Sequence, residues 1–356
     1  GDYTYTFANP GDVQAFQIEA TGGSDAVAET FSTDIYTGTG ASQTITNGLD
    51  LSGDGGLTWF KWRGSNDGVI SSAWNLLIDT ERGVNKFISS DRTAAEQTQS
   101  ALDMTFNSNG VTFNDYAGFT SYTGDDYVLW SFKKQAKFFD IVTYTGNGAS
   151  SQTISHNLGS VPAMIIVKNI TVGNWAVYHR GLDATNPENY AIEFTTDPRS
   201  SSSVNHWNST LPTSTEFTVG ANYNTNGVER VAYLFAHDTA SDGLIQCGSY
   251  TGTASSVSIN LGWQPQWLLI KRSDSAEDWS IVDNVRGMGT DPLLTGLKAL
   301  TPNTASAEEA PAYSPIVPSS TGFTAHTGYD ARYCANGGTY IYMAIRSASA
   351  PAITWP

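Results

Sequence analysis

The sequence predicts an all-β protein of three tandem β-sandwich repeats, jelly-roll or concanavalin-like, each of about 107 residues. The first observation behind this is compositional. The 356 residues hold 10 Trp, 17 Tyr, 15 Phe and 34 Gly, and aromatic residues punctuated by small turn-formers favour pleated strands joined by turns. The second is one stretch, Phe139 to Lys168, which reads as three short strands. Apolar residues alternate up to Tyr144, and Thr145-Gly-Asn-Gly148 then supplies positions that tolerate positive φ. Gln152 to Leu158 alternates again, Gly159 to Pro162 breaks the run, and Met164 to Val167 looks buried. The third is that this stretch occurs three times. Ile35-Tyr-Thr-Gly-Thr-Gly leads to Leu57-Thr-Trp-Phe-Lys61, and Ser249-Tyr-Thr-Gly-Thr leads to Trp267-Leu-Leu-Ile-Lys271. Tyr36, Tyr144 and Tyr250 stand 108 and 106 residues apart, beyond solenoid periods and matching one whole sandwich.

Taken in order, residues 1–30 are acidic and lack Lys and Arg, with strand-like alternation over Tyr3–Phe7 and Val13–Ile18. They read as an added strand pair or the tail of a preceding module. The repeats follow as 31–138, 139–241 and 242–356. Asn75-Leu-Leu-Ile-Asp79 aligns with Trp279-Ser-Ile-Val-Asp283, and Trp175-Ala-Val-Tyr-His179 is the same element in the second copy. Each copy closes on an apolar strand: Tyr127–Phe132, Val231–Ala236 or Tyr340–Ile345. Helix is scarce: Ala94–Leu102 is expected to form one or two turns, and Ser306–Ala310 lacks caps. The junctions at Lys133–Lys137 and His237–Gly243 are short, so the copies should pack together, in a row or around a pseudo-threefold axis.

The formal charge of −16 is spread along the chain. An acidic surface disfavours phosphate backbones and anionic lipid, so nucleic acid is not expected as a partner. No window of 18 apolar residues suggests membrane insertion. Two cysteines make no disulfide scaffold: Cys247 falls on an inward-facing strand position and Cys334 in a polar turn, a poor pairing.

Together these phrases resemble a repeat of structural and tail-fibre proteins of marine tailed phages, cyanophages among them. That pattern, roughly "YTG-G-QTI-H-LG-P-IIVK", "W-I-D-RG", "F-SDGFTLG" and "TYVAW-FK", is met by Tyr144–Lys168, by Asp79–Gly83 and Asp283–Gly287, by Phe106–Phe113 and by Asp126–Lys133. The resemblance covers about residues 31–347. It implies a non-enzymatic virion component, in a tail fibre or as a surface decoration, and offers no catalytic residues. The second copy departs from it, with His179 in place of the Asp of the "D-RG" phrase and Arg180 directly following.

Candidate ligand-binding residues are the aromatics of the polar loops: Tyr116, Tyr122, Trp207, Tyr223, Trp263, Tyr329 and Tyr333. Rings exposed at sandwich ends stack on sugar faces while Asn and Asp bind hydroxyls. The competing reading has these rings capping a core end. Asp79 with Arg82, and Asp283 with Arg286, read chiefly as ion pairs that fix a turn. Asp125-Asp126 and Glu308-Glu309 supply carboxylates without the separation glycosidases need. The five His follow no zinc spacing, and no phosphate or nucleotide motif is present. No catalytic residue, cofactor or metal is expected. The functional expectation is therefore a virion adhesive module. Its partners would be copies of itself, as a homo-oligomer with a trimer favoured, other virion proteins and host surface polysaccharide, through multivalent weak contacts. A microbial surface adhesin or filament subunit, and a glycan-cleaving tailspike enzyme, are the alternatives.

Overall fold

The computed structural model describes residues 26–64, 73–116, 118–201, 203–288, 297–310, 314–328 and 330–348. The expected strands at Tyr3–Phe7 and Val13–Ile18 lie outside them. The first part of the chain forms β1 (Phe31–Thr37), β2 (Gln43–Ile45), β3 (Gly56–Gly64), β4 (Leu76–Asp79), β5 (Lys86–Ser89), β6 (Gln97–Thr98), β7 (Thr105–Asn107), β8 (Gly110–Phe113) and β9 (Asp126–Lys133). The second forms β10 (Phe139–Thr145), β11 (Ser151–Ser155), β12 (Met164–Asn169), β13 (Trp175–His179), β14 (Ile192–Glu193), a single helical turn α1 (Ser203–His206), β15 (Glu216–Gly220) and β16 (Glu229–Phe235). The third forms β17 (Ile245–Thr251), β18 (Val257–Asn260), β19 (Pro265–Arg272), β20 (Ser280–Asp283), β21 (Ala299–Leu300), β22 (Ile316–Ser319), β23 (Gly322–Ala325), α2 (Ala331–Cys334) and β24 (Thr339–Arg346).

The protein is all-β, and one strand order recurs. The large sheets run β1-β9-β3-β4-β5-β6, β10-β16-β12-β13-β14 and β17-β24-β19-β20-β21. Each is accompanied by a small sheet, β2-β8-β7, β11-β15 or β18-β23-β22. Each unit's opening strand thus pairs antiparallel with its closing strand, in matching register: Tyr36↔Tyr127, Tyr144↔Arg230 and Tyr250↔Tyr340.

The closing strands β9, β16 and β24 are buried along nearly their whole length. That explains why they read as apolar runs rather than alternating ones: a strand covered on both faces has no solvent side to mark. One face of each large sheet packs on the unit's own small sheet, through Tyr36–Phe113, Tyr144–Phe217 and Tyr250–Phe323 of the opening strands. The other face meets the neighbouring units. There Phe132 touches Phe139, Phe235 and Trp267 at centroid distances of 5.6, 5.8 and 5.9 Å, and Trp130 lies 6.4 Å from Trp267. One apolar cluster therefore runs through all three units. The arrangement is a closed cluster around a shared core rather than a row.

Two local expectations are corrected. Ala94–Leu102 is not a helix of one or two turns: it contributes β6 and a 3₁₀ turn at Ser100–Leu102. Cys334 does not sit in a polar turn but is buried in α2, and both cysteines are free thiols. At Cys334 the alignment with a polar residue of the second copy misled.

The molecule has two unlike ends. Chain entry before Phe31, both connections between units and the exit after Arg346 lie where β9, β16 and β24 finish. The loops that lead into these strands lie at the opposite end, where β9, β16 and β24 begin, while the long segments after β13 and β20 leave from the connection end.

Candidate functional site

The recurring motif turns out to be scaffolding. Its tyrosine hydroxyls donate to loop carbonyls, Tyr36 to Thr120 at 2.6 Å, Tyr144 to Tyr223 at 3.0 Å and Tyr250 to Tyr333 at 2.6 Å. Its glycine is needed for close approach: a Cβ at Gly38, Gly146 or Gly252 would stand 2.1–2.2 Å from the carbonyl oxygen of Tyr122, Thr225 or Ala335. Positive φ belongs to the later glycines Gly40 and Gly148. Opening motif and variable loop are thereby locked together in each unit.

The motif's lysine has a role that no local pattern along the chain reveals. Lys61, Lys168 and Lys271 are fully buried, and each hydrogen-bonds at least one carbonyl of a different unit. Lys168 reaches Thr93 and Gly173 at 3.4 and 2.6 Å, and Lys271 reaches Thr196 and Glu277 at 3.0 and 2.5 Å. Lys61 reaches Thr304 and Ser306 at 2.9 and 3.1 Å. The second unit thus clasps the first, the third clasps the second, and the first clasps the third. Two residues beyond each lysine, the carbonyls of Ile170, Ser273 and Arg63 accept from the amides of Glu96, Arg199 and Glu308. The aligned Trp175, Trp279 and Asn75 repeat the direction, donating to Ser89, Glu193 and Pro302. This is a head-to-tail interface that closes after three steps.

The "D-RG" phrase works at the same junctions. Asp79 and Asp283 are buried and bind the Arg82 and Arg286 Nε at 2.6 and 2.7 Å. Each carboxylate also takes a donor from the neighbouring closing strand, Tyr233 OH at 2.8 Å or Trp130 Nε1 at 3.2 Å. The third junction explains the departure at His179. Register aligns Trp130, Tyr233 and Met343, and a methionine has no proton to donate. His179 supplies it instead: Gly181 N–H donates to its Nδ1 at 3.0 Å, so Nε2 carries the hydrogen and donates to the Tyr342 carbonyl at 3.0 Å. Burial pushes His179 down to about 3, keeping it neutral.

The predicted ligand-binding aromatics fare poorly as exposed platforms. Trp207, Tyr223, Trp263 and Tyr333 are 1, 7, 6 and 0% exposed, so their faces meet protein, and as stacking residues they are corrected. Trp207 lies parallel to Tyr223 and edge-on to Tyr178. Trp263 and Tyr333 belong to the third unit's core. Tyr116 packs on Phe87 and Phe119, and Tyr122 against the cluster of Trp62 and Tyr127; both are half-buried. Tyr329 lies outside the described residues. The loops are rich in aromatics because each must plug the end of its own sandwich. The paired acids are likewise engaged: Glu308 with Arg63 at 2.7 Å, Glu309 with Arg332 at 2.6 Å, and Asp125 with the Trp62 Nε1 at 2.9 Å. Among the described residues no group of three or more His, Cys, Asp or Glu is placed to hold a metal.

One pocket, of about 290 Å³, lies at the loop end, where all three units meet, and one of about 530 Å³ lies at the connection end beside Arg180 and His237. Thr93, Thr196 and Thr304, whose carbonyls the buried lysines hold, stand around the loop-end pocket. Trp175 and Phe194 provide apolar surface, and Asn174, Asp278 and Asn303 supply polar groups. Apolar surface with a few convergent polar groups suits a small polyhydroxylated ligand. Another cleft, of about 410 Å³, lies between the first and second units, lined by Glu81, Lys86, Glu96 and Thr143 among others. Neither this cleft nor the loop-end pocket was foreseeable, since each is assembled from segments roughly a hundred residues apart.

Fold and site together define a closed, three-unit β-protein whose recurring polar residues serve cohesion. Residues 26–349 match the family described as a domain of unknown function, DUF7483, and the chain belongs to that family. No curated protein matches it.

Proposed function

We propose that this chain is a non-enzymatic virion structural protein, in a tail fibre or as a surface decoration, that contacts host surface glycans through its loop end. The observation that carries the reading is the polarity of the molecule. Entry, exit and connections share one end, which suits attachment, and the three-unit pocket with the loops leading into the closing strands occupies the other, which suits contact. The recurring carboxylates Asp79 and Asp283 are consumed in buried ion pairs, which supports a structural over a catalytic role. Any self-association uses surfaces other than the head-to-tail interface, because that interface is already satisfied within one chain.

The test has two arms. Proteomic analysis of purified particles should find the chain among virion proteins, and its absence there would overturn the virion assignment. A glycan array should bind the purified protein, and Thr195→Trp, which fills the pocket, and Asp278→Ala should abolish that binding. Unchanged binding by both variants would remove the pocket from the reading.

A further inference from the structure

Asn75 faces Lys61 directly across the β3–β4 pair, one step beyond Phe60↔Leu76. Both side chains are fully buried, and Lys61 Nζ lies 2.9 Å from the Asn75 Oδ1. The equivalent lysines have no such neighbour: Lys168 and Lys271 meet Trp175 and Trp279 at the aligned position. We propose that Lys61 and Asn75 join through an intramolecular isopeptide bond, assisted by the buried charge of Asp91.

The geometry supplies what the step requires. A neutral amine has two N–H groups and one lone pair. Nζ donates to the Thr304 and Ser306 carbonyls at 2.9 and 3.1 Å and to the Asn75 Oδ1 at 2.9 Å, so loss of the third proton leaves both remaining N–H groups held by the backbone and the lone pair on the side of the carboxamide. Asn75 Nδ2 donates to the Pro302 and Thr304 carbonyls, each at 2.9 Å, so the amide is held with its oxygen toward the lysine. Water is excluded, which removes the competing nucleophile and fixes the reacting groups. Burial also pushes the Lys61 amine down to about 7, opposed by the Asp91 charge, so the nucleophilic form is populated near neutrality. The Asp91 carboxylate is almost wholly buried and accepts the Asn75 backbone N–H at 2.9 Å.

The step balances without a further reactant. Nζ attacks the Asn75 Cγ, forming a C–N bond. A proton passes from Nζ to Nδ2 under the charge of the buried Asp91, the Cγ–Nδ2 bond breaks, and ammonia leaves. The product amide joins β3 to β4 covalently at the junction where the first unit grips the third.

Intact-mass spectrometry of the purified full chain tests this. The expected mass is lower than the sequence mass by one ammonia, and a digest should yield a branched peptide joining Lys61 to Asn75 that resists hydroxylamine. Lys61→Arg and Asn75→Ala should each restore the full mass. Asp91→Asn, which keeps an acceptor for the Asn75 amide, should leave the lysine and asparagine unjoined. A wild-type mass equal to the sequence mass overturns the proposal outright, and a deficit that persists in Lys61→Arg overturns it by placing the loss elsewhere. Complete joining in Asp91→Asn overturns the role of Asp91.

Discussion

His179→Asp restores the residue that the other two units carry, yet it should be among the most damaging single changes in the protein. In the wild type the neutral imidazole donates to the Tyr342 carbonyl at 3.0 Å from a site 1% exposed. An aspartate there presents an acceptor to an acceptor. It also lacks the buried guanidinium that Asp79 and Asp283 bind three residues on: that position in the second unit is Leu182, and the adjacent Arg180 is exposed to solvent. Losing the hydrogen bond costs about 1–3 kcal/mol, and a buried carboxylate without a partner costs roughly 3–5 kcal/mol. These overlap, so a loss of about 4 kcal/mol is expected at pH 7. Urea unfolding followed by tryptophan fluorescence measures it. His179→Gln, which keeps an N–H donor, should cost only about 1 kcal/mol. If His179→Asp lies within about 1 kcal/mol of wild type, the complementarity of His179 with the Met343 strand is not what holds this junction.

Three other outcomes are expected. Tyr233→Phe removes the donor to Asp79 while keeping the ring, and should cost about 1.5–3 kcal/mol in the same unfolding measurement because the bond is to a charged group; a change near zero would contradict it. Gly146→Ala should cost at least about 2 kcal/mol, since its Cβ meets the Thr225 carbonyl at 2.2 Å, whereas Gly227→Ala, with open space around its Cβ, should suffer only from its positive φ; equal thermal stabilities of the two variants would contradict this. Acid should loosen the structure: burial pushes His179 and His237 down to about 3 and about 4 from an ordinary 6.5, so the unfolded chain binds protons that the folded one refuses. Their contribution is full above pH 6.5 and is lost as pH falls toward those values, and unfolding midpoints flat between pH 7 and 4 would refute the assignment.

Much of the fold was legible because strand periodicity and turn chemistry are local. Tyr36, Tyr144 and Tyr250 open equivalent strands, and the apolar closing strands each lie between two partner strands. The site was legible only in its elements. Trp207, Tyr223 and Tyr333 looked like exposed platforms because a polar loop surrounds each in sequence, but a ring in a polar loop is also what plugs the end of a sandwich, and composition does not separate the two. The lysine at the end of each buried strand looked like a simple terminator. The carbonyl it holds across the junction lies in another unit, and no window along the chain contains both. His179 was visible as an exception, while its reason, Met343, stands more than a hundred residues away.

The head-to-tail closure has a consequence for mass action. Three separate chains making the same interface would dissociate on dilution, their stability tied to protomer concentration. Here the linkers at Lys134–Phe138 and Ala236–Leu244 make each association unimolecular, at an effective concentration on the order of millimolar. The assembly therefore forms from a single copy however scarce the protein is. Covalent linkage also lifts the requirement that all three interfaces be identical, so one junction can run on a neutral histidine while its neighbours run on ion pairs.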